Sequence, residues 1–252
     1  MMFKILILEK AGFDIHRYKS MHVFSENGFE IVGSTYNMTE AIDQTAKGRF
    51  DLLMVINRES GMIGAEILRT FVKKKQDVPT LIISCADSAK DMRDCFLLGA
   101  LDYLVEPITE DDIAASLKRA SKAISVKVLD REYLKAIDNA VLTLNINEAN
   151  SAMYEKLIEL LMKFKGRAAT VEEAADYFGF NPDYFRRVFK MRFGTSFTDF
   201  YKKLMMDYAR LLLLSGHYKV SEVSDLLGFS SSDYFTRVFK KITGRIPSEY
   251  RK

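Results

Sequence analysis

The sequence lacks the residue patterns that usually accompany catalysis and metal binding. It has two cysteines, Cys85 and Cys95, and three histidines, and none of them stands at the spacing of a metal site. His16 and His22 could line a small-molecule site, but nothing in the sequence groups them. There is no Gly-rich phosphate loop and no arrangement that suggests a Ser-His-Asp triad. We therefore expect a protein that is not an enzyme and that requires no metal or other cofactor.

Long apolar runs are also missing. Leu211–Leu214 is far shorter than the roughly 20 residues that cross a membrane. The opening segment, MMFKILILEK, has no small-residue cleavage site, and its apolar residues suit a buried strand. These observations predict a cytoplasmic protein with no membrane partner. Two inert, buried thiols would suit that reducing compartment.

The length and the charge distribution indicate two domains of different character. A chain of 252 residues with 48% hydrophobic content has room for about two cores. From Gly166 onward there are 15 Lys/Arg against 10 Asp/Glu, whereas the preceding part has 22 against 24. The net charge of +3 therefore lies in the C-terminal part, which suits contact with phosphates.

That C-terminal part contains an internal repeat. DYFRRVFK at Asp183–Lys190 returns 50 residues later as DYFTRVFK at Asp233–Lys240. The similarity extends upstream, where VEEAADYFGF at Val171–Phe180 matches VSEVSDLLGF at Val220–Phe229. A repeat of this length predicts one supersecondary unit used twice.

Each repeat reads as two short helices joined by a turn. Thr170 and Glu173 form a capping-box pattern that begins the first helix of the first unit. Gly179, and Gly228 in the second unit, supply the left-handed residue that ends this helix. The next helix begins at an N-cap followed in the first copy by a proline; the N-caps are Asn181, before Pro182, and Ser231. This is the helix-turn-helix pattern.

The second helix of each unit has one apolar and one polar face. The i, i+3, i+4 spacing predicts a buried stripe, formed by Phe185, Val188 and Phe189 and by Phe235, Val238 and Phe239. The side chains left outside are of the kinds that hydrogen-bond base edges or phosphates. They are Asp183, Arg186, Arg187 and Lys190 in the first copy, and Ser232, Asp233, Thr236, Arg237 and Lys240 in the second.

Residues 151–252 resemble the AraC/XylS family of transcription regulators, most specifically in GFSSSDYFTRVFKKITGRIPSEYRK at Gly228–Lys252. The resemblance implies two helix-turn-helix units joined by a long helix, here Leu204–Leu214, whose recognition helices enter neighbouring major-groove segments of duplex DNA. It implies base-reading roles for Asp183, Arg186, Arg187, Asp233, Thr236 and Arg237. The two aspartates have an alternative role, because a carboxylate near a helix N-terminus can simply cap it or offset its dipole.

The first half of the chain alternates short apolar runs with helical patterns such as Thr39–Lys47 and Gly64–Lys74. Five such β segments with crossover helices predict an α/β, doubly wound, five-stranded parallel sheet with any site at the carboxyl ends of its strands. The expected strands are Phe3–Leu8, Glu30–Ser34, Leu52–Ile56, Thr80–Ser84 and Asp102–Val105. An all-α domain with the two helix-turn-helix units follows this sheet.

Residues 1–122 resemble the receiver domain of response regulators through FDLLMV, PTLIIS and GALDYLVEP. In that family two acids bind magnesium, an Asp accepts a phosphoryl group, and a hydroxyl and a Lys contact the phosphoryl oxygens. Here the second acid is replaced by a cation, the acceptor by an aliphatic residue and the Lys by a carboxylate. The matching positions are Glu9, Lys10, Ile56, Ser84, Tyr103 and Glu106, followed by Pro107, which is expected to be cis.

These changes predict a degenerate, pseudo-receiver domain that does not take phosphate. Asn57 cannot substitute as acceptor, because its amide is not a nucleophile and its side chain should point to the other face of the strand. Glu59 in the following loop lacks a metal site to assist it. We also expect Lys10 and Glu106 to form an ion pair across the pocket.

Residues 123–150 are expected to form a helical linker with a break at Asn145–Asn150. Two apolar stripes run through this region and the helix before it. They are Ile113, Leu117, Ala120 and Ile124, and Leu134, Ile137, Val141 and Leu144. Each stripe could be a coiled-coil seam between two subunits, or could pack on its own domain.

The sequence therefore predicts a DNA-binding transcription regulator whose receiver-like domain serves dimerisation or partner binding without phosphorylation. Homodimer formation is expected from the resemblance, and RNA polymerase is a further candidate partner. Two alternatives stay open: a regulator whose receiver-like domain senses a small molecule, and an interaction protein that titrates a related regulator. The exposed arginines on both recognition faces argue against the last of these.

Overall fold

The computed structural model describes residues 2–9, 15–57, 63–85, 88–146 and 151–251. Contacts within the chain divide it into two compact units, Met1–Val126 and Lys127–Lys252. The helical linker expected at 123–150 is therefore divided between them. Asn145 and Ile146 lie in coil, while the rest of the expected break, 147–150, lies outside the described residues.

The first unit is built on a parallel sheet in the order β2-β1-β3-β4-β5. Its five strands match the expected segments to within one residue at each end. They are β1 (Phe3–Glu9), β2 (Phe29–Thr35), β3 (Leu52–Asn57), β4 (Thr80–Ser84) and β5 (Asp102–Val105). Every described residue of β3 and β4 is buried, as expected for central strands covered on both faces.

Helices connect the successive strands of the first unit, and a long helix follows β5. They are α1 (Ile15–Lys19), α2 (His22–Glu26), α3 (Met38–Ala46), α4 (Ile63–Lys74), α5 (Ala89–Leu97) and α6 (Glu110–Val141). Asn37 caps α3 by accepting from the Thr39 and Glu40 amides, and Ser88 caps α5 by accepting from the Asp91 amide. The core between sheet and helices is aliphatic, with Leu53, Val55, Ile67 and Ile82 fully buried.

Helix α6 is one continuous element of 32 residues that crosses the division between the units. Its first stripe is buried at Ile113, Leu117, Ala120 and Ile124. A stripe that is buried within the chain is not free to form a seam with a second subunit. The second stripe is mixed, because Ile137 and Leu144 are buried whereas Leu134 is 46% exposed.

The second unit is all helical. Besides the end of α6 it contains α7 (Ser151–Phe164), α8 (Val171–Phe178), α9 (Pro182–Phe193), α10 (Phe197–Leu214), α11 (Val220–Leu226) and α12 (Ser232–Thr243), then a 3-10 turn at Pro247–Glu249. The joining helix α10 begins seven residues before the expected Leu204. Ser196 caps it by accepting from the Asp199 amide, so the helix begins at a cap that the apolar run alone did not reveal.

Phenylalanines form much of the core in the first helix-turn-helix unit. Phe185, Phe189 and Phe197 are each at most 2% exposed, and their ring centroids lie 5.3 to 5.6 Å apart. Phe235 and Phe239 repeat this arrangement in the second helix-turn-helix, with ring centroids 5.5 Å apart. Val188 and Val238 of the predicted stripes are only half-buried, because they lie at the edge of the apolar face.

Candidate nucleic-acid interface

The two recognition helices, α9 and α12, begin and end in the same way. Asn181 accepts a hydrogen bond from the Tyr184 amide at 2.9 Å, and Pro182 follows it at the first helical position. Ser231 accepts from the Tyr234 amide at 3.2 Å. Each helix ends at a left-handed glycine, Gly194 (φ 79°) and Gly244 (φ 84°). These caps confirm the predicted starts of both helices.

The preceding helices also follow the sequence pattern. Thr170 and Glu173 form a capping box at the start of α8, and the Arg167 guanidinium lies 3.0 Å from the Glu173 carboxylate. The backbone hydrogen bond from Thr170, followed by that side-chain contact with Arg167, lowers the pKa of Glu173. Gly179 and Gly228 both have positive φ, at 73° and 74°. The duplicated helix-turn-helix is therefore present in the structure.

The predicted outer faces are open to solvent. Seven of the nine candidate DNA contacts are exposed, namely Asp183, Arg186, Arg187, Lys190, Asp233, Arg237 and Lys240. Ser232 and Thr236 are half-buried. Because the phenylalanines on the opposite face are buried, each recognition helix presents a polar surface on one side only.

Arg186 is the one arginine of these faces that is held by carboxylates within the described part of the chain. Its Nη2 lies 2.8 Å from Glu172 Oε1 on α8, and its Nη1 lies 2.9 Å from Asp183 Oδ1. Asp183 therefore contacts Arg186, while the capping role belongs to Asn181. The Arg186 guanidinium joins the two helices of the first helix-turn-helix.

Arg187 and Arg237 lie instead over aromatic rings. The Arg187 guanidinium is 5.4 Å from the centroid of Tyr184, and that of Arg237 is 5.9 Å from the centroid of Tyr234. Both tyrosines are themselves exposed, by 42% and 49%. These tyrosines were not predicted from the sequence, although each stands three residues before its arginine, on the same face of the helix.

The positions matched to the receiver pocket lie at the carboxyl ends of the strands in the first unit. Ile56 occupies the acceptor position on β3 and is 2% exposed, and it pairs in register with Glu9 on β1 and Ile83 on β4. An aliphatic side chain offers no nucleophile. Asn57 accepts a hydrogen bond at 3.3 Å from the amide of Gly64, which belongs to α4. Glu59 lies outside the described residues.

Three further positions of this pocket are enclosed. Glu9, Ser84 and Tyr103 are each at least nine-tenths buried, and Ser84 pairs with Val105 at the end of β5. The peptide bond between Glu106 and Pro107 is cis, as predicted. Among the described residues no group of three or more His, Cys, Asp or Glu could hold a metal ion, and His16 and His22 are exposed.

Glu106 has partners other than the one predicted. Its Oε2 accepts a hydrogen bond from the Cys85 thiol at 2.9 Å, and its Oε1 lies 3.9 Å from Nη1 of Arg17. Lys10, the predicted partner, lies outside the described residues. Cys85 is exposed, because it follows the carboxyl end of β4. The expectation of two buried thiols is therefore wrong for this residue. Cys95 is buried as expected.

Two family models match the chain. Residues 174–252 match a helix-turn-helix domain, and residues 14–118 match a response regulator receiver domain. In the part of the chain that the structure describes, no helix is long and apolar enough to cross a membrane.

Curated proteins resemble the chain over different extents. The chain is 22% identical over 252 residues to the transcriptional regulatory protein HptR of Staphylococcus aureus, covering all of this chain and 99% of HptR. It is 32% identical over 103 residues to the uncharacterized HTH-type transcriptional regulator YijO of Escherichia coli. That second match covers 41% of this chain, and little more than a third (36%) of YijO.

Solved structures resemble parts of the chain. The C-terminal domain of the two-component response regulator yesN from Fusobacterium nucleatum is 27% identical, with a TM-score of 0.38, and the match covers 40% of this chain and all of that one. The receiver domain of the putative response regulator NarL from Mycobacterium tuberculosis is 19% identical, with a TM-score of 0.39, covering 47% of this chain and 95% of that one.

The duplicated helix-turn-helix and the two matching models define a DNA-binding transcription regulator. Its N-terminal half has the five-stranded parallel sheet of a receiver. The chain combines a response regulator receiver domain with a helix-turn-helix domain of the AraC type.

Proposed function

We propose that the protein reads duplex DNA with α9 and α12 in two successive major-groove segments, and that Arg187 and Arg237 are its main base readers. The observation that carries this proposal is the equivalence of the two arginines. Each lies on the exposed face of a recognition helix, over the ring of the tyrosine three residues before it. An exposed guanidinium can make two parallel hydrogen bonds to guanine O6 and N7.

The remaining residues of the two faces support these readers. Lys190 and Lys240 contact phosphates, which supply affinity without reading sequence. Ser232 and Thr236 bring hydroxyls to the second helix, where the first has Pro182 and Arg186. Asp183 and Asp233 stand in the first turns of α9 and α12, where a carboxylate offsets the positive end of the helix dipole.

The test is binding to a selected DNA site. Arg187→Ala and Arg237→Ala should each cost about 1–3 kcal/mol of specific binding and relax specificity at one base pair. Arg187→Lys keeps the charge but loses the bidentate geometry, so it should relax specificity with less loss of non-specific affinity. Arg49→Ala, an exposed arginine between α3 and β3, is the control for loss of one positive charge. Unchanged operator binding in both alanine variants would contradict the proposal.

We further propose that regulation does not depend on phosphorylation of the receiver domain. The buried side chain of Ile56 stands where the acceptor should be, and the carboxylate of Glu106 stands where a cation should meet phosphoryl oxygens. Treatment with acetyl phosphate and magnesium should leave the mass unchanged. The triple variant Lys10→Asp, Ile56→Asp, Glu106→Lys restores the acidic pair, the acceptor and the lysine. It should gain about 80 Da, one phosphoryl group, and such an adduct on the original protein would overturn the proposal.

The receiver domain then serves to form a homodimer. Exposed apolar side chains on α4 and α5 support this role, namely Val72, Phe96 and Leu97. Leu97→Glu should reduce the molar mass measured by light scattering, whereas Lys90→Glu, an exposed residue of the same helix, should not. The protein acts in the cytoplasm, without catalysis, and RNA polymerase is its partner at the promoter.

A further inference from the structure

A cavity of about 300 Å³ lies within the second unit, between its two helix-turn-helix halves. Its walls come from the start of α8, one face of α10 and the inner side of α12. The volume is at the lower end of the roughly 300–1,000 Å³ range of small-molecule sites. It is too small for a helix of a partner protein, whose diameter with side chains is about 10 Å.

One end of the cavity is apolar and adaptable. Met205 and Met206 on α10 line the cavity together with Leu227, which precedes Gly228, and Val238 on α12. Both methionines are at most 6% exposed. Methionine side chains are unbranched and polarizable, so they can repack around an apolar ligand.

The other end is polar and positively charged. Thr198 and Lys202 both line the cavity, and their i, i+4 spacing places them on one face of α10. Among the described residues that line the cavity, Lys202 is the one lysine, and none is Arg, Asp or Glu. Thr198 and Lys202 are both exposed. The Tyr201 hydroxyl is already engaged, because it donates to the Arg167 carbonyl.

We propose that this cavity binds a small apolar carboxylate, with its hydrocarbon part against Met205, Met206 and Val238 and its carboxylate at Thr198 and Lys202. The hydroxyl and the ammonium both donate hydrogen bonds, so they suit an anion rather than a second cation. Each methylene that enters the apolar end should tighten binding about fourfold.

Such a ligand would act on DNA reading through α12. Tyr234 lines the cavity, and the same ring lies under the Arg237 guanidinium. Thr170 and Val171, at the start of α8, line the opposite wall. An occupant therefore contacts both helix-turn-helix halves and the residue that supports one base reader. This effect on DNA rests on the proposed function, whereas ligand binding does not.

Binding is tested first without DNA, on the full-length protein with decanoate as the probe, below its micelle concentration. Calorimetry should show one saturable site, and methyl-labelled Met205 and Met206 should shift together in the NMR spectrum. Lys202→Gln should weaken decanoate binding about tenfold, the loss of one charge-assisted hydrogen bond. The matched control, Lys203→Gln, changes an exposed lysine of the same helix that does not line this cavity. Decylamine should not bind.

Equal binding of decanoate and decylamine, or an unaltered affinity in Lys202→Gln, would overturn the site. Val238→Trp fills the apolar end and should abolish the methionine shifts, provided that its circular dichroism melt matches the parent. Saturating decanoate should weaken operator binding by about fivefold or more. An unchanged operator affinity with decanoate bound would overturn the effect on DNA. Loss of operator binding in Arg237→Ala, measured without ligand, tests the proposed function separately.

Discussion

The Arg186 guanidinium lies 2.8 Å from the Glu172 carboxylate and thereby joins the recognition helix α9 to the preceding helix α8. The second helix-turn-helix has Thr236 and Ser221 at the equivalent positions. Both members of the pair thus differ between the two copies. In the first helix-turn-helix, carboxylates hold one of the arginines of the recognition helix. The second helix-turn-helix has no arginine at the equivalent position.

This ion pair leads to a prediction about DNA affinity. Arg186 must break its contacts with two carboxylates before it can contact a base. Arg186→Ala should therefore weaken specific binding by about 1 kcal/mol, less than Arg187→Ala. Glu172→Gln should raise affinity for random-sequence DNA, because it releases a cation and removes a negative charge. Its free energy of unfolding should change by less than about 1 kcal/mol, as for other exposed pairs.

Fluorescence anisotropy on specific and random duplexes measures both effects. Glu155→Gln on α7, another exposed glutamate, is the control for loss of one negative charge. If Arg186→Ala loses as much specificity as Arg187→Ala, the Glu172 contact does not restrain Arg186 and it reads bases directly.

The tyrosines beneath Arg187 and Arg237 give a second prediction. Tyr184→Leu and Tyr234→Leu remove the ring and should weaken specific binding by about 0.5–1 kcal/mol each, the size of an exposed cation–π contact. Tyr184→Phe and Tyr234→Phe keep the ring and should bind close to the parent. Should the phenylalanine variants lose as much as the leucine variants, the hydroxyl and not the ring would be the important group.

The end of α6 contributes to the stability of the DNA-binding unit. The Tyr133 hydroxyl donates to the Leu161 carbonyl at 2.9 Å, and its ring packs edge-on against Tyr208 at 5.1 Å. Burial raises the pKa of both phenols. Tyr133→Ala should therefore destabilise this unit by about 3–5 kcal/mol.

Tyr133→Phe should cost about 1 kcal/mol, the net loss of one hydrogen bond, because the Leu161 carbonyl still accepts from the Lys165 amide. Leu134→Ala, at the half-exposed neighbouring position, should cost well under 1 kcal/mol. Calorimetric unfolding of the full chain measures all three. A Tyr133→Ala protein that melts like the parent would show that α6 does not stabilise the unit.

Much of the fold was predictable because its signals are local. The strands of the first unit are continuous apolar runs, and the caps at Asn181, Ser231 and Thr170 are set by residues within one turn. The start of α10 was missed because Ser196 lies just after the Gly194 turn, where the apolar pattern of α9 has already ended.

The details of the site depended on tertiary structure. Glu172 and Arg186 are 14 residues apart and meet only when α8 packs on α9. Similarly, the contact between Cys85 and Glu106 requires the ends of β4 and β5 to lie side by side. Spacing in the sequence could identify which side chains face outward, but it could not show which of them hold one another.

The two cysteines should differ in reactivity. Burial, and then the nearby carboxylates of Asp91 and Asp94, raises the pKa of the Cys95 thiol from 9.0 to about 11. At pH 8 a thiol reagent such as Ellman's should therefore modify the exposed Cys85 quickly and Cys95 only on unfolding. Two equally fast thiols in the native protein would contradict this.

The same pKa shift fixes the direction of a pH effect. Because the folded protein holds the Cys95 proton more tightly than the unfolded chain, this thiol stabilises the fold fully below pH 9. The contribution is lost as pH rises through about 11. Cys95→Ala should show a smaller decline in stability across that interval, measured by denaturant unfolding.

Hydroxyl-radical footprinting of the unphosphorylated protein on a selected DNA site tests the central claim most directly. The account predicts two protected segments per chain on one face of the duplex, about one turn or ~34 Å apart. Arg187→Ala should weaken one segment and Arg237→Ala the other, and acetyl phosphate should change neither. A single protected segment, or protection that appears only after acetyl phosphate treatment, would contradict the account.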